Sequence, residues 1–230
     1  MRPVGMGSLR RLTPISRVYG LDRGLPVDRY YIEQFLGRFA GHAGYAEGVV
    51  QGRVLEVGGR AYADRFGVTG APGGPGVTER VDVLHATPTN PDATIVGSLT
   101  EADTLPEDTF DCIICTQTLH VIFDFRAALA NLHRALRSGG TLLLTVPGIS
   151  PGCVPDRDYW GDWWRFTERS MRKLLEELFP APSVDVDAYG NVLTAVAFLH
   201  GMAANELSRD ELEVSDPLYE VILAARATKG

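Results

Sequence analysis

Along the middle of this chain, short apolar runs with the period of strands alternate with longer stretches of helical spacing. Val54-Leu55-Glu56-Val57 reads as a first strand and Val81-Asp82-Val83-Leu84 as a second. Asp111-Cys112-Ile113-Ile114-Cys115 and Thr141-Leu142-Leu143-Leu144-Thr145-Val146 follow as a third and a fourth. From Val27 to Leu36 the spacing predicts a helix, with Asp28 as its N-cap and Tyr31, Phe35 and Leu36 on one face. A second helix follows Asp124, with Phe125, Leu129, Leu132 and Leu136 as its stripe and Gly139-Gly140 as its stop. Another runs from Thr167 through Met171, Leu174, Leu175 and Leu178. Near the end, Val184-Asp185-Val186 and Glu220 to Ala225 read as two more strands around a helix at 193–199. Residues 1–27 show no sustained period and read as an arm. Gly67 to Gly76, with Gly70, Gly73, Gly74, Pro72 and Pro75, reads as a surface connection. The alternation predicts an α/β fold whose mostly parallel sheet is covered on both faces.

Composition narrows the class. With 230 residues, 45% hydrophobic and 22% charged, the chain suits one domain with additions. We divide it into an N-terminal arm and helical cap over 1–49 and a main domain over 50–230, with an aromatic-rich insertion at 149–182. A net charge of -7 argues against a nucleic acid held on a basic face. No run reaches the ~18 apolar residues of a membrane span, and no secretory leader is evident, so the expected location is cytoplasmic. Cys112, Cys115 and Cys153 do not form a disulfide framework. Cys112-x-x-Cys115 lies in a strand, which sends its side chains to opposite faces, so we expect buried thiols and no metal site.

The first strand ends in Gly58-Gly59, a turn that lets backbone approach a ligand closely. Arg60-Ala61-Tyr62 follow, so neither G-x-G-x-x-G nor a P-loop is present, which disfavours NAD and ATP. Glu56, inside the strand end, needs a partner: a ligand ammonium, Arg60 or backbone amides. Asp82, read as ending the second strand, stands where an acid would receive ribose hydroxyls, or is a plain turn residue. A ligand with a ribose, an adenine and an amino-acid tail, but no phosphate, meets both demands.

The segments Val54-Leu55-Glu56-Val57-Gly58, Asp82, and Leu105-Pro106-Glu107-Asp108-Thr109-Phe110-Asp111 resemble the class I S-adenosylmethionine-dependent methyltransferases. Thr116-Gln117-Thr118-Leu119-His120, Leu136-Arg137-Ser138-Gly139-Gly140 and Leu142 to Gly148 extend the resemblance over about residues 50–148. Pro26 to Glu33 and Tyr159 to Thr167 resemble a bacterial subfamily associated with glycan and natural-product pathways. The resemblance implies a single Rossmann-like, doubly wound, mostly parallel seven-stranded sheet with helices on both faces. It implies S-adenosylmethionine as cofactor, with Gly58 and Gly59 on its methionine part and Glu56 anchoring that loop or the ammonium. Asp82 and Val83 would serve the ribose, Ser98 and Leu99 the adenine, and Thr116 and Gln117 would close the pocket. Arg60, Tyr62 and Ser98 depart from the usual pattern of that site.

His120, in the loop after the third of these strands, is the first candidate base for an acceptor's proton, and Asp162 the second. Trp160, Trp163 and Trp164, with Tyr159 and Arg165, are dense enough for a substrate lid, though a core cap would use the same residues. Tyr30 and Tyr31, with Tyr159, Trp160, Trp163 and Arg165, complete the candidate substrate residues. His42, His85, His133 and His200 read as surface or packing histidines. The expected function is O- or N-methylation of a small molecule, a sugar or natural-product intermediate, by a chain acting alone or as a homodimer. A cyclase, decarboxylase or lyase on the same fold, or a non-catalytic partner subunit, are the alternatives. Nucleic-acid methylation lacks an Asn/Asp-Pro-Pro-Tyr motif here.

Overall fold

The computed structural model describes residues 7–40, 48–68, 70, 76–152 and 154–230. His42, Cys153 and the 71–75 part of the glycine-rich connection lie outside the described residues. Seven strands form one sheet: β1 (Gly52–Val57), β2 (Thr78–His85), β3 (Ile95–Val96), β4 (Phe110–Thr116), β5 (Leu136–Pro147), β6 (Val184–Tyr189) and β7 (Ile222–Thr228). Their order is β3-β2-β1-β4-β5-β7-β6. The first five run parallel, whereas β7 is antiparallel to both β5 and β6. This is the expected doubly wound architecture, with one antiparallel strand, β7, next to its edge.

Helices cover both faces. On one, α1 (Val27–Gly37), α2 (Ala61–Phe66) and α6 (Val192–Leu199) pack over Val54, Cys112, Ile114 and Leu143. On the other, α3 (Phe125–Ala135) and α5 (Glu168–Glu176) pack over Leu55, Ile113, Cys115 and Leu142. Adjacent strand residues thus fall in opposite cores, and the two thiols divide between them as expected. Burial raises both; that of Cys115 is pushed up to about 12. Two short helices, α4 (Val154–Tyr159) and α7 (Arg209–Glu213), complete the set among the described residues.

Several boundaries differ from expectation for local reasons. Pro26 is the N-cap of α1, and Asp28 falls in its first turn, accepting from the Arg29 N–H at 2.8 Å. At the end of α3, Leu136, expected on the helix stripe, is already extended (ψ 138°) and pairs with Phe110, so β5 starts ahead of the Gly139-Gly140 stop and runs through it. Asp124 does cap α3, accepting from the Ala127 N–H at 3.1 Å, and Thr167 with Ser170 forms the capping box of α5. The last strand starts at Ile222, later than its apolar run, although Val221 still bonds to Tyr189 and Gly148 and Glu220 to Ile149.

The arm lies along α6. Ile15 and Ser16 N–H groups donate to the His200 carbonyl, Tyr19 stacks on Phe198, and Arg23 pairs with Glu206. At the sheet edge, Arg172 donates to the Val184 and Val186 carbonyls (3.3 and 3.2 Å) and Ser215 to that of Ala188 (2.9 Å). These side chains occupy acceptors that another strand would otherwise use. No helix among the described residues is long and apolar enough to cross a membrane.

Asp82 is corrected by the extent of β2, which runs on to His85 and leaves Asp82 in mid-strand, fully buried. Arg53 and Arg80 are cross-strand partners, a like-charge pair that is unfavourable unless neutralised. Asp82 neutralises it, accepting from Arg53 Nε at 2.7 Å, from Arg80 at 2.7 Å and from Thr94 Oγ1 at 3.1 Å. Burial works against the carboxylate, yet Arg53, Arg80 and Thr94 together hold it below its ordinary range. Its stabilising contribution is therefore present above the usual carboxylate pKa and fades as pH falls through the lowered one. Asp82→Asn should cost about 1–3 kcal/mol near neutral pH, since hydrogen-bonded charges are lost while both arginines can still reach water. Urea melts should show that gap shrinking below about pH 4.

Candidate active site

The carboxyl ends of β1, β2 and β4 open onto a cavity of about 610 Å³, within the usual range for small-molecule sites. Gly58, at the tip of β1, has φ +95°, and a methyl built on it would meet nothing within 4 Å. Leu84 and His85 line the cavity from β2, Ser98, Leu99 and Thr100 from the loop after β3, and Gln117 and Thr118 from the end of β4. Val121, Ile122 and Phe123 form an apolar side wall, and Trp160 joins the lining, edge-on to the His85 ring at 6.3 Å.

Glu56 does not face this cavity. It is buried and accepts from the N–H groups of Ala63 at 2.7 Å and Tyr62 at 3.3 Å, capping the first turn of α2. Burial raises its pKa, and the two amides oppose that shift. Of the protein partners considered for it, the backbone amides are the ones it bonds to. The loop-anchoring role is thereby the one its contacts fit. Arg60 turns outward to pair with Asp64 (2.8 Å), and Tyr62 stacks with Phe66, so both departures from the glycine pattern sit outside the cavity.

A second, smaller pocket of about 170 Å³ adjoins the first, and Gln117 lines both. Its walls include Tyr19 from the arm, Asp28 and Arg29 from α1, buried His120, Ser150, and Asp162 with Arg165. Arg165 holds Asp162 through two bonds, at 2.5 and 3.0 Å, and also donates to the Trp164 and Pro151 carbonyls. The His120 carbonyl accepts from the N–H groups of Trp163 (2.8 Å) and Trp164 (3.1 Å), fixing the tryptophan segment to the loop after β4.

The expected site residues therefore divide. Gly58, Ser98, Leu99, Gln117 and Trp160 line the larger cavity; His120, Asp162 and Arg165, with Gln117, line the smaller. Gly59, Asp82, Val83 and Thr116 line neither: Val83 is fully buried inside the sheet, and the Thr116 carbonyl accepts from Thr118 Oγ1. Tyr31 is a core residue whose hydroxyl donates to the Leu212 carbonyl (3.0 Å), and Tyr30 flanks a separate surface groove by Glu33 and Leu212. Tyr159 projects into solvent, and Trp163 is half exposed against Phe123, while Trp164 packs on Phe123 and Phe125. Trp160 is thus the one tryptophan of the segment over a cavity. His85 was missed because β2 was read one residue short; Asp28 and Arg29 were missed because Asp28 was taken for a cap. Among the described residues, no group of three or more His, Cys, Asp and Glu is arranged to hold a metal ion.

Residues 76–144 match the family model described as a methyltransferase domain. Over 101 residues the chain is 30% identical to Probable polyketide synthase 5 of Dictyostelium discoideum, covering 44% of this chain and 4% of that protein's length. A Thermotoga maritima S-adenosylmethionine-dependent methyltransferase, described as a possible histamine N-methyltransferase, shares the fold with a TM-score of 0.52 at 15% identity, over 89% of this chain and 91% of that one. Haemonchus contortus phosphoethanolamine N-methyltransferase 2, solved with S-adenosylmethionine, does so with a TM-score of 0.53 at 13% identity, over 87% and 52%. The methyltransferase-domain match lies over residues 76–144, and the two solved structures share the fold of this chain.

Because Glu56 holds the turn from outside the cavity, Glu56→Ala should cost about 1–2 kcal/mol, as for a lost helix cap. Glu56→Gln, which keeps an acceptor oxygen, should recover part of that loss in denaturant melts.

Proposed function

We propose that the chain methylates a small molecule, on oxygen or nitrogen of a sugar or natural-product intermediate, with cofactor in the larger cavity and acceptor in the smaller. The observation that carries this reading is the meeting of the two pockets at Gln117: a methyl group held in one could be handed to an atom held in the other. The natural-product side draws on the matched stretch of the polyketide synthase.

The larger cavity fits the cofactor's parts. Open space over Gly58 leaves room for a ligand against the β1 tip, apolar Leu99, Val121 and Ile122 suit a flat base, and His85 stands at the β2 tip for ribose hydroxyls. When bound, S-adenosylmethionine supplies a methyl group on a sulfonium, transferred to the acceptor as the carbon–sulfur bond breaks and its electron pair stays on sulfur. The chain's own tasks are orientation, water exclusion and proton removal. Trp160 shields the larger cavity, Asp162 and Arg165 wall the smaller, and His120 takes the acceptor's proton.

A non-catalytic reading has one observation in its favour. Among the described residues, the only carboxylate lining the larger cavity is Asp124, already spent on capping α3. Calorimetric titration decides between them. S-adenosylhomocysteine should bind wild type, and His85→Ala should weaken it about tenfold, the worth of one hydrogen bond. No heat up to millimolar ligand would favour the non-catalytic reading. With any acceptor that wild type turns over, His120→Ala should lower turnover by roughly 10²–10⁴ and leave S-adenosylhomocysteine binding unchanged.

A further inference from the structure

Two acid–base pairs meet in the smaller pocket, and only one was foreseen. Asp162 and Arg165 come from the tryptophan segment; Asp28 and Arg29 come from the first turn of α1, far away in sequence. Asp28 is buried, and its carboxylate accepts from the Arg29 backbone at 2.8 Å and from its guanidinium at 3.2 Å. Burial raises the Asp28 pKa, and the Arg29 charge opposes it. Asp162 is likewise enclosed and held in two bonds by Arg165, whose other donors go to two carbonyls. Each of these four charges thus has a counter-ion beside it in the wall.

Such a wall has consequences for what it can hold. An ammonium or a carboxylate entering it would lose its water and meet charges that are already paired, so it gains less than it would from a lone counter-charge. A neutral molecule rich in hydroxyls breaks nothing and finds both donors and acceptors, as buried polar groups require. Size adds a second limit. At about 170 Å³ the pocket is close to the roughly 150 Å³ that admits one six-membered ring. We infer that the smaller pocket takes a neutral, polyhydroxylated ring of monosaccharide size, and that Asp28 and Arg29 are a charge-balanced pair selecting it against charged analogues. This rests on the reading of that pocket as the acceptor site and narrows its substrate class; it makes the acceptor atom a hydroxyl oxygen.

The test is a ligand-observed NMR titration with three ring-sized probes, methyl glucoside, glucosamine and glucuronate, on the full chain with and without S-adenosylhomocysteine. Wild type should bind the neutral probe at least tenfold more tightly than either charged one. Asp28→Asn leaves Arg29 without its acid and should shift preference toward glucuronate; Arg29→Gln leaves Asp28 without its base and should shift it toward glucosamine. Opposite shifts in two variants cannot come from a general loss of structure, and Arg29, with 40% of its side chain exposed, is the safer substitution. Charged probes binding wild type as well as the neutral one, no binding of the neutral probe, or variants without a change in preference would each overturn the inference. Absent S-adenosylhomocysteine binding would instead strike the cofactor reading, while the probe preferences are still read without it.

Discussion

At the end of β4 the chain leaves the sheet through Gln117, a non-glycine residue in the left-handed region at φ +46°, where an L side chain costs on the order of 1–2 kcal/mol. What holds it there is β5: the Gln117 N–H donates to the Thr145 carbonyl at 2.9 Å, continuing the parallel ladder one residue past the strand. The Gln117 side chain reaches back to the sheet, its Nε2 donating to Thr145 Oγ1 at 3.4 Å, and the residue lines both pockets at the start of the loop that holds Thr118 and His120. Strain of this kind persists only where the surroundings over-determine it, and it concentrates at sites of function.

The rest of the edge is arranged so that its charges do not compete for the ligand. Glu56 is spent on the α2 amides and Asp82, in mid-strand, on a pair of arginines, so both acids build the frame and the cavity wall stays largely apolar. The tryptophan segment then serves both pockets within six residues: Trp160 in one, Asp162 and Arg165 in the other. Gly161 between them has φ +99° and no room for a side chain beside the Trp163 indole, so the reversal needs glycine. One short segment therefore contributes to the walls of both pockets.

Much of the fold was legible because its signals are local. Apolar strand runs, the Asp124 cap and the division of Cys112 and Cys115 between faces follow from period and from capping chemistry. Boundaries set by pairing were not: β2 reaches His85 through its neighbours β1 and β3, and β5 starts at Leu136 because Phe110 lies opposite. Of the site, glycine and loop positions on the strand tips could be read, since topology alone places them. The acids could not. A carboxylate near a tip looks the same in sequence whether it meets a ligand, two arginines or two amides, and only the third dimension tells Glu56, Asp82 and Asp28 apart.

The central claim is the division of labour between two pockets that touch at Gln117. A crystal structure with S-adenosylhomocysteine tests it most directly: the adenosyl group should lie by His85 and Leu99, with the thioether sulfur at Gln117 facing the His120 side. A ligand seated on Asp82, or one whose sulfur points away from the smaller pocket, would contradict it.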